Sequence, residues 1–263
     1  MIKKELKYNF KSFIIWTLIL LGMFIFVFAI YPFIINEETM ESLNEMMKTF
    51  PPELLKSMNM DLSSLDSAYG WLKSEGFTFI LLITGFYSSY LGISILLKEE
   101  KDSTIEYLHS LPIKRSRIVL NKIIVALIYI ISMILIVSLV NYIGLLLSGD
   151  FNKKEYLLLS LTPLFTSIPL FSLNLFISTL LKKKNKTIGI SLGLVFIFYF
   201  LNLVSEMSEK VEFLKYISIY TLADVRNVIM NVEYNPSIIF ISIILSLFFI
   251  SLSFSKYQKK ELV

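Results

Sequence analysis

The sequence contains no cysteine and a single histidine, His109. Without thiols the chain forms no disulfide of its own, binds no metal through thiolates and has no cysteine nucleophile. No GxxxxGK[ST] phosphate loop and no HExxH motif occurs, which excludes nucleotide binding through a P-loop and zinc-protease chemistry. His109 lies among charged residues, where a surface contact is the expected role of an imidazole. The sequence therefore predicts a chain that is not an enzyme, with no catalytic, cofactor-binding or metal-binding residue.

Aspartate, glutamate and arginine are missing from the interiors of the long apolar runs. Carboxylates at membrane depth commonly mark proton or ion coupling, so this absence argues against a proton-driven carrier and against an intramembrane aspartyl protease. If the protein moves a substrate uphill, the energy has to come from a source other than such carboxylates.

The sequence is dominated by apolar runs of about 20 residues, the length at which a helix crosses the core of a bilayer. Hydrophobic residues make up 55% of the 263 positions. The runs are continuously apolar and do not alternate with period two, which disfavours a β-barrel. The predicted fold class is all-α integral membrane, with six transmembrane helices near 12–35, 76–97, 118–147, 156–181, 187–204 and 236–255.

The distribution of charge predicts the orientation, because cytoplasmic loops retain lysine and arginine. With the N-terminus inside, the inner segments carry 17 of the 25 basic residues and 6 of the 21 acidic ones. The net charge of +4 then reflects topology and requires no nucleic acid partner. We expect a multi-pass protein of a bacterial cytoplasmic membrane with both termini cytoplasmic. The first apolar run is too long for a signal peptide and is interpreted as a retained helix.

Three further segments are predicted around these spans in a single membrane domain covering 1–263. Residues 1–11 resemble an interfacial helix with Ile2, Leu6 and Phe10 on one face, although a disordered basic tail is the alternative. Residues 36–75 form an acidic external loop with two short helices around Pro51 and Pro52. Residues 205–235 are too apolar for an open loop and too short for another crossing, which predicts an external or re-entrant helical segment.

The segment 98–117 is a charged insert between the second and third spans, with the pattern of a short amphipathic helix. Its apolar positions fall on one face and its acidic positions on the other: Ile105, Leu108 and Leu111 against Glu99, Asp102 and Glu106. Ser103 and Glu106 have capping-box spacing, and Pro112 is a plausible stop. The basic residues that follow, up to Lys122, mark the start of the next span on the cytoplasmic side.

Uncharged amides interrupt three spans, at Asn141, Asn174 and Asn202. Such groups most often hydrogen-bond a neighbouring helix, and the alternative is a polar lining for a translocation path. The second span offers small and hydroxylated side chains that predict a close helix approach, with the lining of a polar path as the alternative: Tyr87, Ser88, Ser89, Tyr90 and Gly92.

The stretch from Glu100 through Pro112 to Lys122, together with six spans and both ends inside, resembles the ABC type 2 transporter permeases, with an ABCG-like exporter architecture. In that family the insert between spans two and three is a coupling helix that docks on a separate ATP-binding subunit. The resemblance implies an exporter permease that pairs with an ABC ATP-binding subunit and with a second permease copy or a related permease, surrounded by membrane lipids. ATP and magnesium would then be bound by the partner ATPase. The residues implied at the ATPase-coupling interface are Glu100, Asp102, Thr104, Ile105, Glu106, Leu108, Leu111, Pro112 and Arg115.

Other functions stay open at this point. The main alternative is a nonenzymatic membrane sensor or accessory protein whose cytoplasmic helix binds a regulator. An ion channel would need a charged or carbonyl-lined constriction, of which the sequence shows no clear example. The residues do not identify the transported substrate, nor whether the permease pairs with itself or with a relative.

Overall fold

The computed structural model describes residues 1–34, 42, 45, 46, 48–50, 67–102, 104, 105, 112–149, 151–181 and 187–260. Over these residues all regular structure is helical, and no strand occurs in them. The elements, in chain order, are α1 Ile2–Ile34, α2 Ala68–Trp71, a π-helical turn Leu72–Gly76, α3 Phe77–Lys101, α4 Arg115–Ser148, α5 Lys153–Leu180, α6 Thr187–Met207, 3-10 helices Glu209–Tyr216 and Ile219–Ala223, α7 Val225–Asn231 and α8 Pro236–Lys259.

Six helical stretches of the described chain are long and apolar enough to cross a membrane. They correspond to α1, the continuous run from α2 to α3, α4, α5, α6 and α8. The predicted all-α class with six transmembrane helices is therefore confirmed.

The first helix differs from the prediction of a separate interfacial helix over 1–11. It continues without a break to residue 34, and 33 residues at about 1.5 Å each exceed a hydrocarbon core of roughly 30 Å. Its predicted apolar face is divided: Ile2 and Leu6 pack against the protein core, while Phe10 is exposed. Glu5 and Asn9 are buried instead, so the first turns of α1 pack on the bundle.

The second span also begins earlier than predicted, because the helix starts at residue 68. The sequence places residues 68–75 in the external loop 36–75, because carboxylates outnumber lysines over that whole segment. In the structure Lys73 forms an ion pair with Glu155 of α5, with 3.1 Å between Nζ and Oε1. The predicted helices around Pro51 and Pro52 lie outside the described residues.

Short helices make up the predicted segment 205–235, and none of them is long enough to span a membrane. The segment is held to the bundle by Tyr220, whose buried hydroxyl donates to the carbonyl of Leu81 at 3.3 Å. A Cβ atom at Gly85 would fall within 3.0 Å of that hydroxyl, so the glycine leaves room for it.

Helix α5 is the centre of the bundle, with its most extensive contacts to α3 and α8. It contains two prolines, each of which removes one backbone hydrogen bond. The carbonyl of Leu159, four residues before Pro163, accepts a hydrogen bond from Thr162 at 2.8 Å. The carbonyl of Phe165, four residues before Pro169, accepts one at 2.9 Å from Ser242 of α8. Hydroxyl groups thus satisfy both carbonyls that the prolines leave free, as a bilayer interior requires.

Ser242→Ala is expected to lower the stability of the purified protein by about 1 kcal/mol, since interhelical hydrogen bonds in membranes are worth roughly 0.6 to 2 kcal/mol. The reason is that the Phe165 carbonyl loses its donor from α8. Thermal unfolding in detergent measures the change. Ser251→Ala, at an exposed position of the same helix, is the control and should have no measurable effect. Equal shifts for the two variants would contradict this role for Ser242.

Candidate functional site

A network of buried ion pairs lies at the end of the bundle where both chain ends meet. It joins Glu5 of α1, Lys98 and Glu99 of α3 and Lys122 of α4. The same end carries the segment between α3 and α4, in which the coupling helix is predicted. We call these four residues the terminal ion network.

Lys122 is the most buried member of the terminal ion network, with no exposed surface. Its Nζ atom lies 2.6 Å from Oε1 of Glu99 and 3.1 Å from Oε1 of Glu5. It also donates to the carbonyl oxygen of Ile95 at 2.7 Å. An ammonium group has three donors, so these three acceptors match its capacity and compensate a charge that could not otherwise remain buried.

The second carboxylate oxygen of Glu5 pairs with Lys98, which makes Glu5 the bridge between two lysines on different helices. The ammonium of Lys98 also lies 4.3 Å from the ring centroid of Tyr8. The Tyr8 hydroxyl donates to Oδ2 of Asp102 at 2.9 Å. The first two turns of α1 are therefore fixed to the end of α3.

The C-terminal end of α8 is attached to both flanks of the segment between α3 and α4. On one flank, Nζ of Lys260 lies 2.7 Å from Oε1 of Glu100. On the other flank, the guanidinium of Arg115 donates to the backbone carbonyls of Gln258 and Lys260, at 3.1 Å each. Carbonyls at a helix C-terminus lack intrahelical hydrogen-bond donors, and here the guanidinium of Arg115 is the donor.

The residues predicted at the ATPase-coupling interface fall into three groups. Glu100 and Ile105 are buried within the chain, and Arg115 is partly buried. Asp102, Thr104 and Pro112 are exposed. Glu106, Leu108 and Leu111 lie outside the described residues. The burial of Ile105 differs from the predicted apolar stripe, in which its side chain was free for a partner.

Glu5, Lys98 and Lys260 were absent from the predicted interface, and Lys122 was interpreted only as part of a basic flank. One signal in the sequence was available: Lys122 stands inside the helical apolar stretch that becomes α4, where an uncompensated charge is unfavourable. Its partners lie 23 and 117 positions away, and no local pattern identifies them.

The three span amides have different environments. The side chain of Asn174 in α5 donates to the Ser89 hydroxyl of α3 at 3.0 Å and to the Leu170 carbonyl at 2.9 Å. Asn141 in α4 is fully buried, and its amide has no hydrogen-bond partner among the described residues. Asn202 in α6 lies near the opposite end of the bundle, where it lines a cavity. No hydrogen bond in the described part of the chain joins the three, and their place on a translocation path stays a prediction.

The described residues contain no group of three or more His, Cys, Asp or Glu side chains arranged to hold a metal ion. The terminal ion network pairs its carboxylates with lysines, so its chemistry is electrostatic attachment of helices.

Comparison with protein-family models gives a match over nearly the whole chain. The family model described as ABC-2 family transporter protein matches residues 1–262. No match was found among curated proteins or among solved structures.

Proposed function

We propose, on the premise that this chain belongs to the ABC-2 family of transporter proteins, that it is the permease subunit of an ABC exporter. Membership of this family, together with the six apolar helices, identifies the chain as a multi-pass membrane permease subunit of an ABC transporter. The finer proposal is that a separate subunit binds and hydrolyses ATP with magnesium, and that this chain moves its substrate out of the cell. A second permease, identical or related, would complete the transporter.

The observation that carries this proposal is the attachment of the segment between α3 and α4 to the rest of the bundle. Its first flank is tied to α1 through Asp102 and to the end of α8 through Glu100. Its second flank is tied to α8 through Arg115. A displacement of the segment by a partner would therefore act on α1, α3, α4 and α8 together, because charge-assisted contacts resist separation in a partly buried setting.

The exposed residues at the flanks suit a docking role. Asp102, Thr104 and Pro112 are accessible, whereas Glu100 and Arg115 are engaged inside the chain. The flanks of the segment thus combine anchored side chains with accessible ones, an arrangement that suits force transfer between subunits.

Glu106→Lys combined with Leu108→Asp is expected to abolish association with the ATP-binding subunit. The double change inverts one charge and places another on the predicted apolar face, so a complementary surface on the partner would meet repulsion and an unpaired charge. Co-purification of the permease with the co-expressed ATPase measures association, and the mass of the complex gives the stoichiometry.

Glu209→Lys combined with Phe213→Asp is the matched control, since it makes the same changes at exposed positions at the opposite end of the bundle. The control should copurify with the ATPase, and both variants should reach the membrane in wild-type amounts. Wild-type yield of the complex with the first variant would refute the coupling role. A second measurement distinguishes a transporter from a protein that binds a regulator: ATP hydrolysis by the complex that increases when a substrate is added supports transport.

A further inference from the structure

Two adjoining cavities form a cleft at the end of the bundle opposite the terminal ion network. They have volumes of about 360 and 420 Å³ and lie between α6 and the short helices that follow it. Their shared wall is polar and consists of Asn202, Glu206, Lys215, Thr221 and Arg226. Together they have the volume of a pocket for a small organic molecule. We call them the loop-end cleft.

The floor of the loop-end cleft is apolar and aromatic. Phe77 and Leu81 of α3 contribute to it, together with Tyr199 of α6 and Tyr220 of the second 3-10 helix. Phe77 and Tyr220 are almost completely buried, so their positions are set by packing. Such a floor favours the apolar body of a ligand, because burying apolar surface is favourable at about 25 cal/mol per Å².

Acidic side chains outnumber basic ones by one in the lining of the cleft. Four carboxylates line it, against three basic side chains: Glu206, Glu209, Glu212 and Asp224 against Lys73, Lys215 and Arg226. The charge of Lys73 is offset by Glu155, which is not part of the lining. Lys215 is paired with Glu212 inside the cleft. The lining therefore carries an excess of negative charge that a cationic ligand would neutralise.

Asp224 is held in an unusual position within this lining. Its backbone is left-handed, with φ 47° and ψ 34°, a conformation that residues with a Cβ atom rarely adopt. Oδ2 of its carboxylate is buried and has no hydrogen-bond partner among the described residues. Burial raises the pKa of the Asp224 carboxyl, and a side-chain hydrogen bond with Asn227 opposes this shift in part.

The backbone is irregular at a second place in the lining as well. The π-helical turn Leu72–Gly76 presents Lys73 and Ser74 to the cleft. Isolated π turns inside α-helices are frequent at functional sites, and unusual backbone conformations persist where the surroundings hold them. The lining of the cleft thus contains two irregular backbone features.

We infer that the loop-end cleft binds an amphipathic organic cation. Its apolar body would lie on the floor formed by Phe77, Leu81 and Tyr220, and its ammonium group would face Glu206 and Asp224. Arg226, whose positive charge lines both cavities, disfavours the same ligand. The inference concerns binding to the permease itself and does not depend on ATPase docking.

The test uses the purified full-length permease in nanodiscs without any ATPase, with rhodamine 6G as the amphipathic cation. Fluorescence anisotropy, corrected with empty nanodiscs, gives the Kd. Glu206→Gln and Asp224→Asn should each raise the Kd about tenfold, since removing a nearby opposite charge in a partly buried site is worth about 1.4 kcal/mol. Arg226→Gln should lower the Kd severalfold. Glu233→Gln, at an exposed position outside the lining, is the matched control and should leave the Kd unchanged.

The Arg226→Gln variant keeps the test decisive, because misfolding does not strengthen binding. The inference is overturned if wild-type protein fails to bind the dye, or if dodecanoylaminofluorescein, an amphipathic anion, binds more tightly than the cation. It is also overturned if the Glu206 and Glu233 variants behave alike. Since the ATPase is absent from this experiment, its result is separate from the co-purification test of the transport function.

Discussion

Replacing Lys122 by methionine is expected to lower the free energy of unfolding by about 3 to 5 kcal/mol, the range found when one partner of a buried ion pair is removed. Methionine fills much of the same volume but leaves the buried Glu99 carboxylate without its cation. Glu5 would keep its pairing with Lys98, so Glu99 is the group that loses most. The Ile95 carbonyl would also lose its additional donor.

Thermal unfolding in detergent, followed by size-exclusion chromatography, measures this effect as a fall in Tm of about 10 °C. Lys256→Met, an exposed lysine of α8 near the same end, is the control and should change the Tm by little. Combining Lys122→Met with Glu99→Gln should recover at least half of the loss, because the uncompensated charge is removed as well. A double variant no more stable than Lys122→Met would show that the ion pair is not the source of the effect.

The number and type of the membrane helices were predictable because hydropathy is a local property. A run of about 20 apolar residues can satisfy its backbone in a bilayer only as a helix or in a closed barrel, and each of the six predicted runs became a helix. The segment 205–235 was also identifiable by its intermediate length, and the structure builds it from short helices.

The helix boundaries were less predictable where charged residues have partners. The second span was expected to begin after Glu75, yet the helix begins at residue 68. Lys73 can lie within it because Glu155 of a neighbouring helix compensates its charge. A hydropathy scale assigns each charged residue the free-energy cost of burial without a partner. Such a scale therefore places residues like Lys73 in loops.

The terminal ion network was not predictable either, because its charged residues find their partners far away in the sequence. Lys122 and Glu5 were both visible as charges near span ends, but their contact depends on how α1 and α4 are rotated against α3. The hydrophobic runs are apolar on all sides, so periodicity does not define which face of each helix is inward. The pairing of Glu100 with Lys260, 160 residues apart, has the same origin.

The small residues of α3 predict a close helix approach without identifying the partner, and the structure shows that the partner is α5. Gly92 is buried against α5, and a Cβ atom added there would fall within 3.0 Å of the carbonyl oxygen of Phe171. Ser89, one turn earlier on α3, accepts a hydrogen bond from Asn174. Small residues let the two backbones approach, and the hydrogen bond from the Asn174 side chain to Ser89 then forms at the contact.

Gly92→Ala is therefore expected to destabilise the protein by about 1 to 3 kcal/mol, the usual range for overpacking a tight core. The neighbour that would have to move is a backbone carbonyl of a helix, which cannot rotate away as a side chain can. Gly193→Ala in α6 is the matched control, because no described atom lies within 4 Å of a Cβ atom there. Alanine should stabilise that helix by up to about 1 kcal/mol relative to glycine.

The two single-methyl variants should thus shift the Tm in opposite directions, which separates packing from helix propensity. The change at Gly92 should also weaken the hydrogen bond between Asn174 and Ser89, since both depend on the same short distance between α3 and α5. In a double-mutant cycle, Asn174→Ala should consequently cost less in the Gly92→Ala background than in the wild-type protein. Strictly additive effects of the two changes would contradict a shared contact and would mean that Gly92 and Asn174 contribute to stability independently.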